Sequence, residues 1–193
     1  MSDGLRLRTV VADTSALVSL AVPRADANVD TDTDTLPDPL QYVLTSCAVS
    51  LPATVRSELT ELASYDDIHG GAASNVLAAE GHYTVVDPYD QNDSPESRPE
   101  FGLDHGETDG IVLANSRGVD GFLTDEFGGT NFAVIHAALR GPKIVPTPRL
   151  IREYVRDGHM STADARRLLD IIGAHRSWGP SPYVARIRDQ LDS

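Results

Sequence analysis

Five short apolar runs, each handing over to a segment with helical spacing, most constrain what this chain can fold into. The first is "RTVVADTSALVSLA", a strand at about 8–12 running into a helix near Thr14. A second strand falls at about 47–50 in "SCAVSLP", a third in "HYTVVDP", a fourth in "VDGFLTD" and a fifth in "PKIVPT". Strands that alternate with helical crossovers pair in parallel, and a parallel sheet is covered on both faces. The expected fold is α/β: a three-layer α/β/α sandwich around a short, mostly parallel sheet.

The helices between the strands are legible in outline. Pro52 suits the first position of a helix, and "ATVRSELTELASY" continues it with Val55, Leu59 and Leu62–Ala63 on one face. "GGAASNVLAAEG" reads as a helix bounded by glycines. "DHGETDGIVLANSRG" carries acids in its first turn, which suits the helix dipole. "TNFAVIHAALRG" reads as a helix ending at Gly141. Two or three helices follow the fifth strand, and Ser161 with Asp164 forms a capping-box pattern. Two stretches break the alternation. Residues 24–39 are acidic and rich in Thr and Pro, and read as an exposed insertion; residues 89–103 read as a polar loop. The expected organisation is one domain at about 1–148, with a helical extension at 149–193 packed on it.

The chain carries 29 acids against 16 bases, a formal net charge of −13, and its one lysine is Lys143. Such acidity repels nucleic acid at low salt. The near-absence of lysine favours another reading, adaptation to a concentrated-salt, halophilic interior, where the Debye length falls to about 3 Å at 1 M. Under that reading a few arginines can still line an RNA site. Cys47 is the lone cysteine, which excludes an internal disulfide and a cysteine metal cluster. No apolar run approaches the ~20 residues of a membrane span, and "MSDGLRLRTV" lacks the apolar core of a signal peptide. A cytoplasmic protein with no membrane partner is expected.

Ligands of parallel α/β sheets bind beyond the carboxyl ends of the strands. Asp13 lies at that end of the first strand, and Asp125 and Glu126 at that end of the fourth. Glu107 and Asp109 open the helix before the fourth strand, and Glu58 sits one to two turns into the helix after the second. Acids from four segments thus converge at one edge. Their mutual repulsion calls for a divalent cation, and hard cations such as Mg2+ and Mn2+ prefer oxygen ligands.

These segments resemble PIN-domain ribonucleases. "VVADTSALVSL" is similar to the opening strand and helix of that family, "PATVRSEL" to its second motif, "GETDGIVLA" to its third and "FLTDEFGGTNFA" to its fourth. The order and spacing agree over about residues 8–146. The resemblance implies that Asp13, Glu58, Asp109 and Asp125 are catalytic, metal-coordinating acids. Glu126 replaces or assists Asp125, and Glu107 is a helper. Thr14 and Ser15 would bond a metal water, and Thr124 would orient the Asp125 loop. The implied activity is Mg2+- or Mn2+-dependent endoribonuclease cleavage of RNA, as in the toxin of a toxin–antitoxin pair, with an antitoxin protein and a homodimer as partners. The 24–39 insertion and the C-terminal region depart from the compact toxin pattern and resemble longer archaeal members.

Plainer readings stand beside these. Asp13 also suits a helix N-cap, Glu58 a solvated helix acid, and Glu107 and Asp109 a helix N-terminus without a metal. Asp104 and Asp120 read as loop acids, His136 as a partly buried core residue, and Trp178 as an anchor for the C-terminal helices. Arg149, Arg152 and Arg156 repeat at helical spacing, which suits a solvated face better than contact with RNA phosphates. A non-catalytic PIN-like module that binds RNA or a protein is the alternative from another class. A phosphatase of the haloacid-dehalogenase type wants a second aspartate two residues after the first, where this chain has Ser15.

Overall fold

The computed structural model describes residues 6–26 and 36–191. Strands β1 (Thr9–Ala12), β2 (Ala48–Pro52), β3 (Tyr83–Val86), β4 (Gly121–Leu123) and β5 (Lys143–Val145) form one sheet in the order β3-β2-β1-β4-β5. Every pairing is parallel. Nine α-helices lie among the described residues: α1 (Thr14–Ala25), α2 (Pro39–Ser46), α3 (Ala53–Leu62), α4 (Ile68–Ala78), α5 (His105–Arg117), α6 (Gly129–Ala138), α7 (Thr147–Arg156), α8 (Thr162–His175) and α9 (Pro182–Gln190). The result is the expected three-layer α/β/α sandwich. None of these helices is long and apolar enough to cross a membrane.

The side-chain alternation of the strands sorts the core into two faces. Val10 and Ala12 of β1 join α1 to α4 and part of α7 in one cluster, with Leu17, Val43, Leu59 and Val76. Val11, paired in register with Phe122, faces the other way and packs with Ile111 of α5 and Ile135 of α6. A third cluster joins Ile151 of α7 to Leu168, Ile172, Trp178 and Ile187, so Trp178 does anchor the C-terminal helices. The helix α7 belongs to both: its Leu150 and Tyr154 pack in the first cluster and its Ile151 in the third. The sheet domain and the C-terminal helices therefore share an element across 148–149.

Several local expectations shift. Pro52 ends β2 and is the N-cap of α3, one position earlier than expected, because its extended ψ of 150° still belongs to the strand. Asp67 caps α4 by accepting from the Gly70 amide at 2.8 Å, so Gly70 and Gly71 lie inside its first turn and do not bound it. His136 is exposed and not a core residue, because α6 turns only Ile135 fully inward. Ser161 caps α8 as expected, accepting from the Asp164 amide at 3.0 Å. The 24–39 stretch is not uniformly exposed at its described ends. Arg24 and Ala25 finish α1, Leu36 is buried in the C-terminal cluster, and Pro39 starts α2; 27–35 lie outside the described residues.

The strand order contains one reversal. The chain moves outward from β1 through β2 to β3, then crosses back to the other side of β1 for β4 and β5. The crevice beyond the carboxyl ends of β1 and β4 is thus the switch point where α/β sheets bind ligands. The helix that returns the chain, α5, lies very close to β4. A Cβ at Gly110 would sit 2.6 Å from a ring carbon of the fully buried Phe122. Gly110→Ala should therefore destabilise the protein despite its better helix propensity. Overpacking of about 1–3 kcal/mol outweighs a propensity gain of at most ~1 kcal/mol. Urea unfolding is expected to show a net loss of about 1 kcal/mol; a gain would show that the ring yields freely.

Candidate functional site

Asp13 follows β1 directly and continues its pairing, its amide donating to the Leu123 carbonyl at 3.0 Å. Its side chain is the N-cap of α1, with Oδ1 accepting from the Ala16 amide at 2.9 Å and from the Ser15 hydroxyl at 2.8 Å. Asp13 is thus a helix N-cap, and its carboxylate also takes a hydrogen bond from Thr124. Burial pushes its carboxyl up to about 7; hydrogen bonds from Thr124, Ala16 and Ser15 oppose this, and the charge of Asp125 adds to it.

Glu107 lies in the first turn of α5, which Asp104 caps through the Glu107 amide at 2.7 Å. Glu107 is 6% exposed, and its Oε2 is buried without a hydrogen-bond partner. Burial pushes its carboxyl up to about 7, reinforced by the like charges of Asp104, Glu126 and Asp13. Asp13 at the end of β1, Glu107 at the start of α5 and Glu126 after β4 therefore confront one another electrostatically. Asp104, expected to be an ordinary loop acid, is the fourth member of that field. Asp120 lies at the opposite end of the sheet, where it accepts from the Arg8 and Thr9 amides at 2.8 and 3.0 Å.

Glu58 of α3 approaches from the side. The Thr14 hydroxyl donates to it, and the Gly106 amide also bonds it. Burial raises its carboxyl, with Asp104 and Asp109 adding to the rise. A Cβ at Gly106 would lie 2.6 Å from Glu58 Oε1, so any other residue there would push the Glu58 carboxylate aside.

Asp109 is drawn away from the others. Positions two apart on a helix do not share a face, and Asp109 turns toward the 89–103 loop. Arg98 grips it with two bonds, Nε to Oδ1 and Nη2 to Oδ2, both 2.8 Å. The hydroxyls of Tyr89 and Thr54 complete its shell. Burial alone would raise this carboxyl, but the bonds from Arg98, Tyr89 and Thr54 outweigh it and hold the group below the usual carboxylate range. Both of its oxygens accept hydrogen bonds, and Arg98 neutralises its charge within the chain.

Asp125 is bonded at Oδ1 by a neighbouring helix, while its Oδ2 is buried without a hydrogen-bond partner. Helix α7 follows Pro146, which offers no capping side chain, and the Thr147 amide instead donates to Asp125 Oδ1 at 2.7 Å. Burial raises its carboxyl, against hydrogen bonds from Ser19 and Thr147. The Asp125 amide donates to Ser15 Oγ at 2.9 Å, and that hydroxyl donates onward to Asp13. Ser15 thereby ties the two strand ends together. Thr124 hydrogen-bonds Asp13 and accepts from the Glu126 amide at 3.2 Å, holding the Glu126 loop directly.

The residues that sequence reasoning missed are Arg98, Tyr89 and Thr54. Arg98 left one signal, as the only cation in the acidic run from Asp87 to Asp104. The arginines of α7 are engaged mainly within the protein. Arg152 and Arg156 both pair with the buried Glu153, while Arg149 donates to the Ile144 carbonyl at 3.2 Å.

Among the described residues, no three His, Cys, Asp or Glu side chains are gathered as a ready-made metal site. Asp13, Glu107 and Glu126 carry oxygen donors of the kind a hard cation prefers, and Glu107 Oε2 and Asp125 Oδ2 are both buried without a hydrogen-bond partner. Set against known proteins, the chain matches no family model and no curated protein.

Proposed function

We propose that this chain is a divalent-metal-dependent endoribonuclease. In that reading Asp13, Glu107 and Glu126 would hold Mg2+ or Mn2+, and Glu58 would support them from the rim. The observation that carries it is the buried, partnerless Glu107 Oε2, set among the charges of Asp13, Glu126 and Asp104 at the switch point of the sheet. The resemblance of four segments to PIN-domain ribonucleases supplies the RNA substrate. When bound, the cation would activate a water and offset phosphate charge. The protein's own part is to exclude bulk water around Asp13 and to hold its carboxylate in place through Ser15 and Ala16.

Incubation of single-stranded RNA with the protein in concentrated salt tests the reading. Cleavage is expected with Mg2+ or Mn2+ and not with chelator. Asp13→Asn and Glu107→Gln should each slow it about a hundredfold, at the low end of what acid–base and metal groups supply. Wild-type rates in both variants would sink the assignment. An antitoxin partner and a homodimer rest on the resemblance alone; co-purification and light scattering test them.

One observation favours a second reading, a non-catalytic module that binds RNA or a protein. Arg98 already neutralises Asp109 within the chain, leaving fewer acids for an ion. Titration calorimetry separates the two: a protein that takes up no Mn2+ at millimolar concentration is the module.

A further inference from the structure

The strongest unassigned feature lies along the edge strand β5. A groove of about 430 Å3 opens along β5, between α6 and α9. Phe132, His136, Lys143, Arg149 and Tyr183 line it, over a floor of Leu139, Ile144 and prolines. In a chain of net charge −13, this groove collects the one lysine together with an arginine and an exposed histidine. Its aromatic rings are half-buried, with their remaining surface available. The groove also connects to the acids. Phe127, the residue after Glu126, stacks on Tyr183 with ring centroids 5.0 Å apart. The charges of Arg149, Arg152, Arg186 and Asp125 all act on the Tyr183 hydroxyl.

We infer that this groove is a binding track for single-stranded RNA, leading from Glu126 past Phe127 and Tyr183 to Lys143. The substrate class rests on the ribonuclease reading, but the groove's own chemistry points the same way. Cations spaced along a groove suit a phosphate backbone, and rings between them suit unpaired bases, whose faces stack regardless of sequence. A duplex hides those faces. Concentrated salt sharpens the argument: phosphate contacts weaken as salt rises, whereas stacking does not depend on charge. A track that works in such salt needs its aromatic residues more than its cations.

Fluorescence anisotropy of a labelled 12-nucleotide oligouridylate, in chelator so that cleavage cannot intervene, is the test. Tyr183→Ala is expected to weaken binding about tenfold, within the range of one lost stacking contact. Lys143→Ala should weaken it about threefold at 0.1 M salt, reduce the salt slope by somewhat less than one, and have little effect at 2 M. Lys143 is exposed on an edge strand, so its variant reports on binding even where Tyr183→Ala perturbs folding; thermal melts check both. Wild-type affinity in both variants, or tighter binding of the matching duplex, overturns the inference. Binding lost in these variants while metal-dependent cleavage is absent from the wild type supports the track and removes the nuclease. Cleavage by a wild type whose groove variants bind normally does the reverse.

Discussion

Replacing Arg98 with alanine is expected to destabilise the folded protein by about 3 kcal/mol, although the residue sits in a loop without regular structure. The cause is its partner. The Asp109 side chain is 2% exposed, while that of Arg98 is 34% exposed. Removing one member of a buried pair typically costs about 3–5 kcal/mol because the other charge is left uncompensated. The outward side of Arg98 places the expected value at the low end. Asp109→Asn in the same background should recover much of the loss, since no charge is then buried. Urea midpoints of the four proteins give the coupling directly. A single variant within about 0.5 kcal/mol of wild type would show that water already solvates Asp109. The pair also predicts behaviour in acid. Because Arg98 helps hold the Asp109 carboxyl below its usual range, its stabilisation is present above the unfolded pKa and is lost as pH falls through the folded one.

Asp13 and Glu107 act in the opposite sense and give the second large effect. Their carboxyls rise from 3.8 and 4.5 in the unfolded chain to about 7 in the folded one. Between those values the folded state binds more protons than the unfolded state, so stability falls as pH rises. At ~1.4 kcal/mol per unit, three units on Asp13 set a ceiling of about 4 kcal/mol. Glu107 adds less than its own share because part of its shift is repulsion by Asp13. In chelator, the stabilisation from these two groups should be full below their unfolded values of 3.8 and 4.5 and drop by several kcal/mol by about pH 8. Asp13→Asn should flatten that descent. If the proposed cation site is real, saturating Mn2+, which would need both carboxylates ionised, should raise the melting temperature strongly at pH 8 and little at pH 5. A curve that stays level or climbs from pH 5 to 7.5 in chelator would refute the burial of these acids as described.

The layers and strand positions were legible because apolar runs and helical spacing report on burial directly, and Asp13 was legible because a strand-to-helix junction has one register. The partners of the other acids were not. Asp109 is gripped by Arg98, which lies in a loop with no periodicity to read. Asp125 and Glu126 are neighbours, and the Thr147 amide that bonds Asp125 lies 22 residues away, behind Pro146. In both cases the partner of the acid is a donor remote in sequence. His136 was misjudged for a related reason: apolar composition over α6 did not reveal that only Ile135 is fully buried.

The outer edge of β5 bears on edge-to-edge strand pairing between copies of the chain. The Lys143 amide donates inward to the Asp120 carbonyl, so by strand alternation positions 142, 144 and 146 turn outward. Two of those three are prolines, which have no N–H to offer an incoming strand, and the Ile144 carbonyl between them is already bonded by Arg149. Edge strands are commonly guarded by charge as well, and Lys143 stands here. At high ionic strength that guard is screened while apolar association strengthens. A missing hydrogen-bond donor is indifferent to salt, so the prolines protect the sheet from aggregation under the conditions where the lysine no longer does.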